Sequence, residues 1–484
     1  MDAVFTSEVV FDAKSIGPIG IQNTEERRDR ESAQSISSNE TEGCEKQGKW
    51  SDLPSLPLEK IYSFLRREDQ VNMSLVCRCW SEGYGSPSVW ETFRFDLTES
   101  HLSMDSCPVM KFVQKYSSMF RNVEINGFHN KNNLLVKNWC RHFVEFLQNL
   151  TINTQLISVE FLYFTDCLTH IDTPTYKEIC GAISDFLASQ HLLKRVEFNI
   201  CPFEYQECVQ FLKILIENSR ESISHLKLRD FLSDENEDIV QDSNVAQKLP
   251  VLADLPSLKT LETDYSSIFE NMVARQSNAI QAVKNCKTLL LTKLKLYNYR
   301  TYTEIENFRG LTSTDWRFMK TLYPHLQVEL ILSIDSAARR VFEFFILPNM
   351  PISHLKYSNG DFNVGTEIAV LFDRLLACKT NEHLVYLKLD WEEPSQHLSS
   401  TINPFLQACK KLKCLVLFML NITGIDVLLE SWLENRPVSL EEVIIDILYQ
   451  HNGNEIPGWI NITDYVSLLK LAGLNIRVKL RIYS

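Results

Sequence analysis

One six-residue phrase recurs through most of the chain: an apolar residue, two others, an apolar residue, one other, and an apolar residue. It reads FRNVEI at Phe120, LISVEF at Leu156, LKRVEF at Leu193, ISHLKL at Ile223, LTKLKL at Leu291, ISHLKY at Ile352, LVYLKL at Leu384, LKCLVL at Leu412 and LEEVII at Leu440. Weaker copies start at Leu258, His325 and Leu474. Its second apolar position falls at Val123, Val159, Val196, Leu226, Leu261, Leu294, Val328, Leu355, Leu387, Leu415, Val443 and Val478, in steps of 27 to 37 residues. The final alternation of each phrase predicts a short strand. Between phrases the apolar spacing turns helical, as at Tyr176, Ile179, Ile183 and Phe186, or Ile368, Leu371, Phe372 and Leu375. A strand and a helix of this size cannot cover their own apolar faces, whereas stacked copies bury them against one another. Residues 97–484 are therefore expected to form an α/β solenoid: a curved parallel sheet backed by outer helices. The hand-over from helix to strand repeats as well, with a Cys in NCKTLL at Asn285, ACKTNEHL at Ala377 and ACKKL at Ala408.

The front of the chain has another texture. Residues 1–49 hold Ser, Glu and Arg with few apolar groups to offset the entropy of ordering, which predicts a disordered tail. In residues 50–96, Leu58, Ile61, Tyr62 and Leu65 fall on one helical face behind Pro57. Asp69 is placed to cap a second helix carrying Met73, Val76, Cys77 and Trp80, which Gly83 and Gly85 would end. Ser86 and Pro87 give a third start signal before Val89, Trp90 and Phe93. Three helices in so short a stretch make a marginal core.

Residues Trp50 to Phe95 resemble an F-box, matching it at Leu53-Pro54, Leu58, Ile61, Phe64-Leu65, Asp69, Ser74-Leu75-Val76-Cys77, Trp80 and Val89-Trp90. The resemblance implies docking on a Skp-family adaptor, which joins the chain to cullin and RING subunits of a ubiquitin ligase. Carried over by position, the adaptor-binding residues would be Leu53, Pro54, Leu58, Ile61, Leu65, Val76, Trp80 and Trp90, with Ile61, Val76 and the two tryptophans divided between contact and core. The remainder, from Phe120 to Tyr483, resembles the leucine-rich repeats of F-box-only proteins in irregular form. Only Cys201, after VEFNI, stands where such repeats place Asn or Cys, and several units exceed the usual length.

Composition narrows the function. A net charge of -13 without a clustered Lys and Arg excess argues against nucleic acid as a partner. The most apolar window, CLVLFMLNITGI from Cys414, is too short to span a bilayer, so no membrane role is expected. Thirteen Cys without a secreted disulfide framework, behind an N-terminus unlike a secretory signal, suggest a reducing compartment, cytoplasm or nucleus. No phosphate loop and no His-Glu-x-x-His is found, and the Cys-x-Cys at Cys77 points its side chains to different helix faces. No catalytic residue, metal or cofactor is expected, and the chain is read as a non-catalytic subunit that recognises a protein substrate. The alternatives are a scaffold that binds the adaptor without delivering a target, and a repeat-based hydrolase for which no motif stands.

If the marker residues face the core, their strand neighbours face the concave side: Glu160, Glu197, Lys227, Glu262, Lys295, Glu329, Lys356 and Lys388. From these, with later strand positions, the candidate substrate residues are Glu197, Lys227, Arg229, Lys295, Tyr297, Lys388 and Phe418. Lys227 and Arg229 make a modest basic pair. The acidic stretch Ser233 to Asn244 breaks the periodicity and is expected to be a solvated loop.

Overall fold

A computed structural model of the chain describes residues 50, 53–104, 107–130, 132–233, 250–274, 289–299, 305, 308–334, 339–359, 364–391, 398–420, 422–450 and 459–483. The expected tail, the acidic stretch beyond Ser233 and the Cys of NCKTLL lie outside the described residues.

Among the described residues thirteen strands form one sheet whose spatial order is the chain order, and every neighbouring pair is parallel. They are β1 (Thr92–Phe95), β2 (Asn122–Asn126), β3 (Ser158–Leu162), β4 (Arg195–Asn199), β5 (His225–Arg229), β6 (Thr260–Asp264) and β7 (Lys293–Asn298). The series continues as β8 (Gln327–Ile334), β9 (Ile352–Asn359), β10 (Tyr386–Trp391), β11 (Cys414–Met419), β12 (Glu442–Gln450) and β13 (Asn475–Tyr483). Parallel neighbours need a crossover, which helices such as Asn133–Asn153, Thr173–Ser189 and Tyr205–Ser219 supply. The recurring phrase thus builds an α/β solenoid with one continuous parallel sheet.

The core lies between sheet and helices. Val123, Val159, Val196, Leu226, Leu261, Leu294 and Val328 form one row in register, each at most 2% exposed. Two residues further along the same strands comes a second buried row, aromatic at Phe161 and Phe198, whose rings stack at 4.9 Å, and aliphatic at Leu296 and Leu330. Full burial of such a side chain contributes about 1.5–3 kcal/mol, so each added unit stabilises its neighbours. Past the strands, thiols bond backbone carbonyls: Cys167 donates to Phe128 O at 3.1 Å, Cys201 to Phe161 O at 3.3 Å and Cys208 to Phe231 O at 3.2 Å. Cys201, singled out in the sequence, thus makes the same kind of bond as two cysteines on the helices Thr165–Thr169 and Tyr205–Ser219.

Several expectations need correction. β1 precedes the first copy of the phrase, because the alternation of Phe93 and Phe95 lets the chain pair with β2. The helix expected from Ser86 does not form; residues 86–90 are turns, with Val89 N bonded to Ser86 O and Trp90 N to Pro87 O. The second helix is broken in two at Leu75–Cys77, and Arg66, not Asp69, stands at its N-cap. Between β8 and β9 the register shifts: Val328 pairs with Ile352 and Leu330 with Leu355, leaving Ser353 as an extra residue. In β13 it is Ile476, not Val478, that pairs with Val443. A two-residue slip keeps the same face inward, so the phrase alone could not fix it.

Candidate functional site

The N-terminal knob comprises α1 (Ser55–Phe64), α2 (Arg67–Ser74) and α3 (Arg78–Tyr84). α1 turns Leu58 and Tyr62 inward, at 1% and 0% exposure. α3 meets it at Gly83, where a Cβ would lie 2.5 Å from Leu58 Cδ2, so any larger residue there would push the buried Leu58 side chain aside. Tyr62 donates its hydroxyl to Trp80 O at 2.7 Å, and burial pushes its pKa up to about 12, which keeps it a donor. Buried Gln70 donates to Tyr62 O at 2.8 Å and to Leu65 O at 3.2 Å, closing the end of α1. Trp80 donates its indole N–H to Trp50 O at 3.0 Å.

Trp90 joins the knob to the sheet. Its indole N–H donates to Tyr84 O at 2.7 Å, and its ring lies 4.9 Å from Tyr84, 4.6 Å from Phe112 and 5.6 Å from Tyr116. The knob and the solenoid therefore share one apolar core.

This packing divides the eight adaptor candidates. Leu58, Trp80 and Trp90 are buried at 5% exposure or less and hold the knob together, which is the core role the sequence left open for the two tryptophans. Pro54 and Val76 are exposed, and Leu53, Ile61 and Leu65 are half-buried. Around them stand three apolar side chains that the candidate list lacked: Leu56, Phe64 and Leu75, 69% to 76% exposed, beside Val76 at 66%. The sequence signal was present, because α1 is apolar on both sides: Leu56 and Phe64 alternate in phase with Lys60, away from Leu58 and Tyr62. A knob that leaves so many large apolar groups in water is built to be covered by another surface.

The polar face of the sheet is a lattice of charge. In one row, Glu124, Glu160, Glu197, Lys227, Glu262, Lys295 and Glu329 pair across successive strands. Lys227 lies 3.4 Å from Glu197, Lys295 3.3 Å from Glu262 and Lys356 2.8 Å from Glu329, while Arg195 bridges Glu160 and Glu197. Burial pushes the Glu160 carboxyl up, helped by neighbouring Glu197. Burial also acts upward on Glu329, but Lys356, Lys295 and Lys293 outweigh it and hold that carboxyl below its usual range. Of the candidate substrate residues, Glu197 and Tyr297 are buried, at 7% and 6%, contrary to an open placement: the lattice covers the first, and the second packs under Arg229. Lys227, Arg229 and Lys295 are half-buried. The basic pair is divided, since Lys227 is held by Glu197 whereas Arg229 lies over the rings of Tyr297 and Tyr299 at 5.1 and 5.4 Å. Lys388, 3.8 Å from Asp390, and half-buried Phe418 lie on the same face three and four strands beyond β7, so the seven residues form no single site.

Among the described residues no group of three His, Cys, Asp or Glu side chains could hold a metal ion. Burial pushes the thiols of Cys140, Cys167 and Cys180 up to about 12, far from the thiolate a nucleophile requires. No described helix is long and apolar enough to cross a membrane.

No curated protein matches the chain significantly. The F-box domain family matches residues 50–82, which contain α1, α2 and most of α3 with their exposed apolar groups. Such domains bind Skp-type adaptors of SCF ubiquitin ligases. Residues 50–82 of this chain are an F-box domain.

Proposed function

We propose that the chain is a non-catalytic substrate-receptor subunit of an SCF ubiquitin ligase, its F-box held by the Skp-type adaptor and its solenoid holding a protein target. The observation that carries this reading is the set of exposed apolar side chains Leu56, Phe64, Leu75 and Val76 on a knob whose own core is complete without them. A surface of that kind gains stability only when a partner removes it from water. The shared core around Trp90 supports the second half of the reading, because it fixes the solenoid relative to the adaptor. A receptor needs that fixed geometry to present a target to the transferring subunits. The adaptor-contact set is Leu53, Pro54, Leu56, Ile61, Phe64, Leu65, Leu75 and Val76.

The test is co-expression of the full chain with adaptor, cullin and RING subunits. The expected result is a four-protein complex from which Leu53→Ala with Pro54→Ala removes the chain, and which modifies lysates with ubiquitin in a chain-dependent way. Recovery of the adaptor without cullin would replace this reading by the scaffold, and no recovery of adaptor would end both.

A further inference from the structure

We propose that the open edge of β13 takes up an extended segment of a partner protein as a further strand, one that alternates acidic and apolar residues. Among the described residues β13 is bonded to β12 alone. It is 9 residues long, its register with β12 is unbroken from Asn475 to Tyr483, and it holds no proline, so neither a bulge nor a proline closes its other side. A long, regular edge of that kind is a template for another chain. Asn475 N donates to Glu441 O at 3.1 Å, and by the alternation of a strand Ile476, Val478 and Leu480 turn their N–H and C=O groups to the open side. The inference does not depend on ubiquitin transfer, since such an edge binds a strand whether or not cullin is recruited.

The two faces of the edge specify the occupant. On the core face Val478 and Leu480 are half-buried, although Ile445 and Ile447, their register partners in β12, are wholly buried. The apolar row is thus covered on the β12 side and open beyond β13, which calls for apolar residues opposite. On the other face Arg477, Lys479 and Arg481 are exposed. β12 offers these three cations two carboxylates: Glu442 lies 2.5 Å from Arg477, and Asp446 2.6 Å from Arg481. Lys479 is within ion-pair distance of no carboxylate among the described residues, so the face keeps a positive charge in excess. The sheet itself shows what stands beside a cation. Signs alternate through Glu197, Lys227, Glu262, Lys295 and Glu329, in register from β4 to β8. By the same rule a strand beyond β13 carries carboxylates opposite its cations. A second copy of β13 would instead set cations against cations.

The experiment uses the full chain. Capped, labelled peptides that alternate glutamate with valine, or lysine with valine, are titrated by fluorescence anisotropy, and hydrogen exchange of residues 475–483 is followed with the glutamate peptide in excess. The glutamate peptide is expected to saturate, to bind about tenfold more tightly than the lysine peptide, and to slow exchange in that segment. Lys479→Glu, at an exposed position, should weaken the glutamate peptide by about fivefold and strengthen the lysine peptide. Val478→Pro removes an N–H from the open side and leaves the bonds to β12, so it should weaken both peptides; thermal unfolding checks that the variant folds. Equal binding of the two peptides, no saturation by either, unchanged exchange in residues 475–483, or an unchanged preference in Lys479→Glu overturns the proposal. Exchange in that segment that slows as the concentration of the chain alone is raised, and no longer does so in Val478→Pro, would assign the edge to a second copy and overturn it as well.

Discussion

Truncating Phe64 and Val76 to alanine should weaken adaptor binding strongly and leave folding unchanged. Phe64 is 76% exposed and Val76 66% exposed in the free chain, so a partner that covers them removes most of each side chain from water. Complete burial contributes about 1.5–3 kcal/mol per large apolar side chain. Scaled by those exposures, about 2 kcal/mol is at stake for Phe64 and about 1 kcal/mol for Val76. Together they predict a loss near 3 kcal/mol, or roughly 150-fold in Kd. Lys60 Nζ lies 4.8 Å from the Phe64 ring centroid, so part of the phenylalanine effect passes through the lysine stem. The single variants should add to within about 0.5 kcal/mol if both side chains meet the adaptor without touching each other. Calorimetric titration of the purified adaptor measures the affinity, and thermal unfolding of the free chain measures stability, which should move by less than about 0.5 kcal/mol. The reasoning is refuted if the double variant loses less than threefold in affinity while its melting curve is unchanged, because exposed apolar area would then not mark the contact.

Three further substitutions probe the frame behind that face. Gly83→Ala forces a methyl group against Leu58 Cδ2, so chemical unfolding should show a loss of about 1–3 kcal/mol, and a shorter residue at position 58 should restore part of it. Trp90→Ala removes the ring that Tyr84, Phe112 and Tyr116 share, and about 3–5 kcal/mol is expected; hydrogen exchange should rise in α1 to α3 before it rises in the later strands. Glu270 accepts from the Tyr265 hydroxyl at 2.6 Å and from Gly310 N at 2.7 Å, and its burial raises its pKa above the ordinary 4.5. Its contribution is fully present below the unfolded value and is lost as pH rises through the raised folded value. The melting temperature of Glu270→Gln, measured against that of the parent, should therefore climb across that interval, and a flat difference would contradict the assignment.

The sequence carried the period of the sheet because strand burial leaves a direct trace: Val123, Val159 and Val196 must all be apolar to share one row. It carried register less well, since Ser353 could be inserted without moving any apolar residue to the wrong face. β1 stayed hidden because its four residues hold only two inward positions, too few to separate a strand from a turn. At the F-box the family pattern mixes two pressures. Leu58 and Trp80 match it and are buried in the knob's core, whereas Pro54 and Val76 match it and stand exposed, and both settings take apolar residues. Burial alone separates them, and burial is a property of three helices together that no spacing along one of them reveals.

The same distinction governs the open face. Alternation correctly put Glu197, Lys227 and Lys295 on one side of the sheet, yet in a parallel array each strand sets its charges directly beside the next, about 4.8 Å away. Unlike charges at that spacing neutralise each other, so a lysine beside a glutamate is spent on the fold before any target arrives. On the receptor reading, selectivity must then come from places where the lattice is interrupted. The tyrosine pair under Arg229 is such a place, because an aromatic ring holds a cation without cancelling its charge. On the receptor reading, replacing Lys227 by Ala should therefore disturb the fold locally and spare target selection, because its charge is already paired with Glu197.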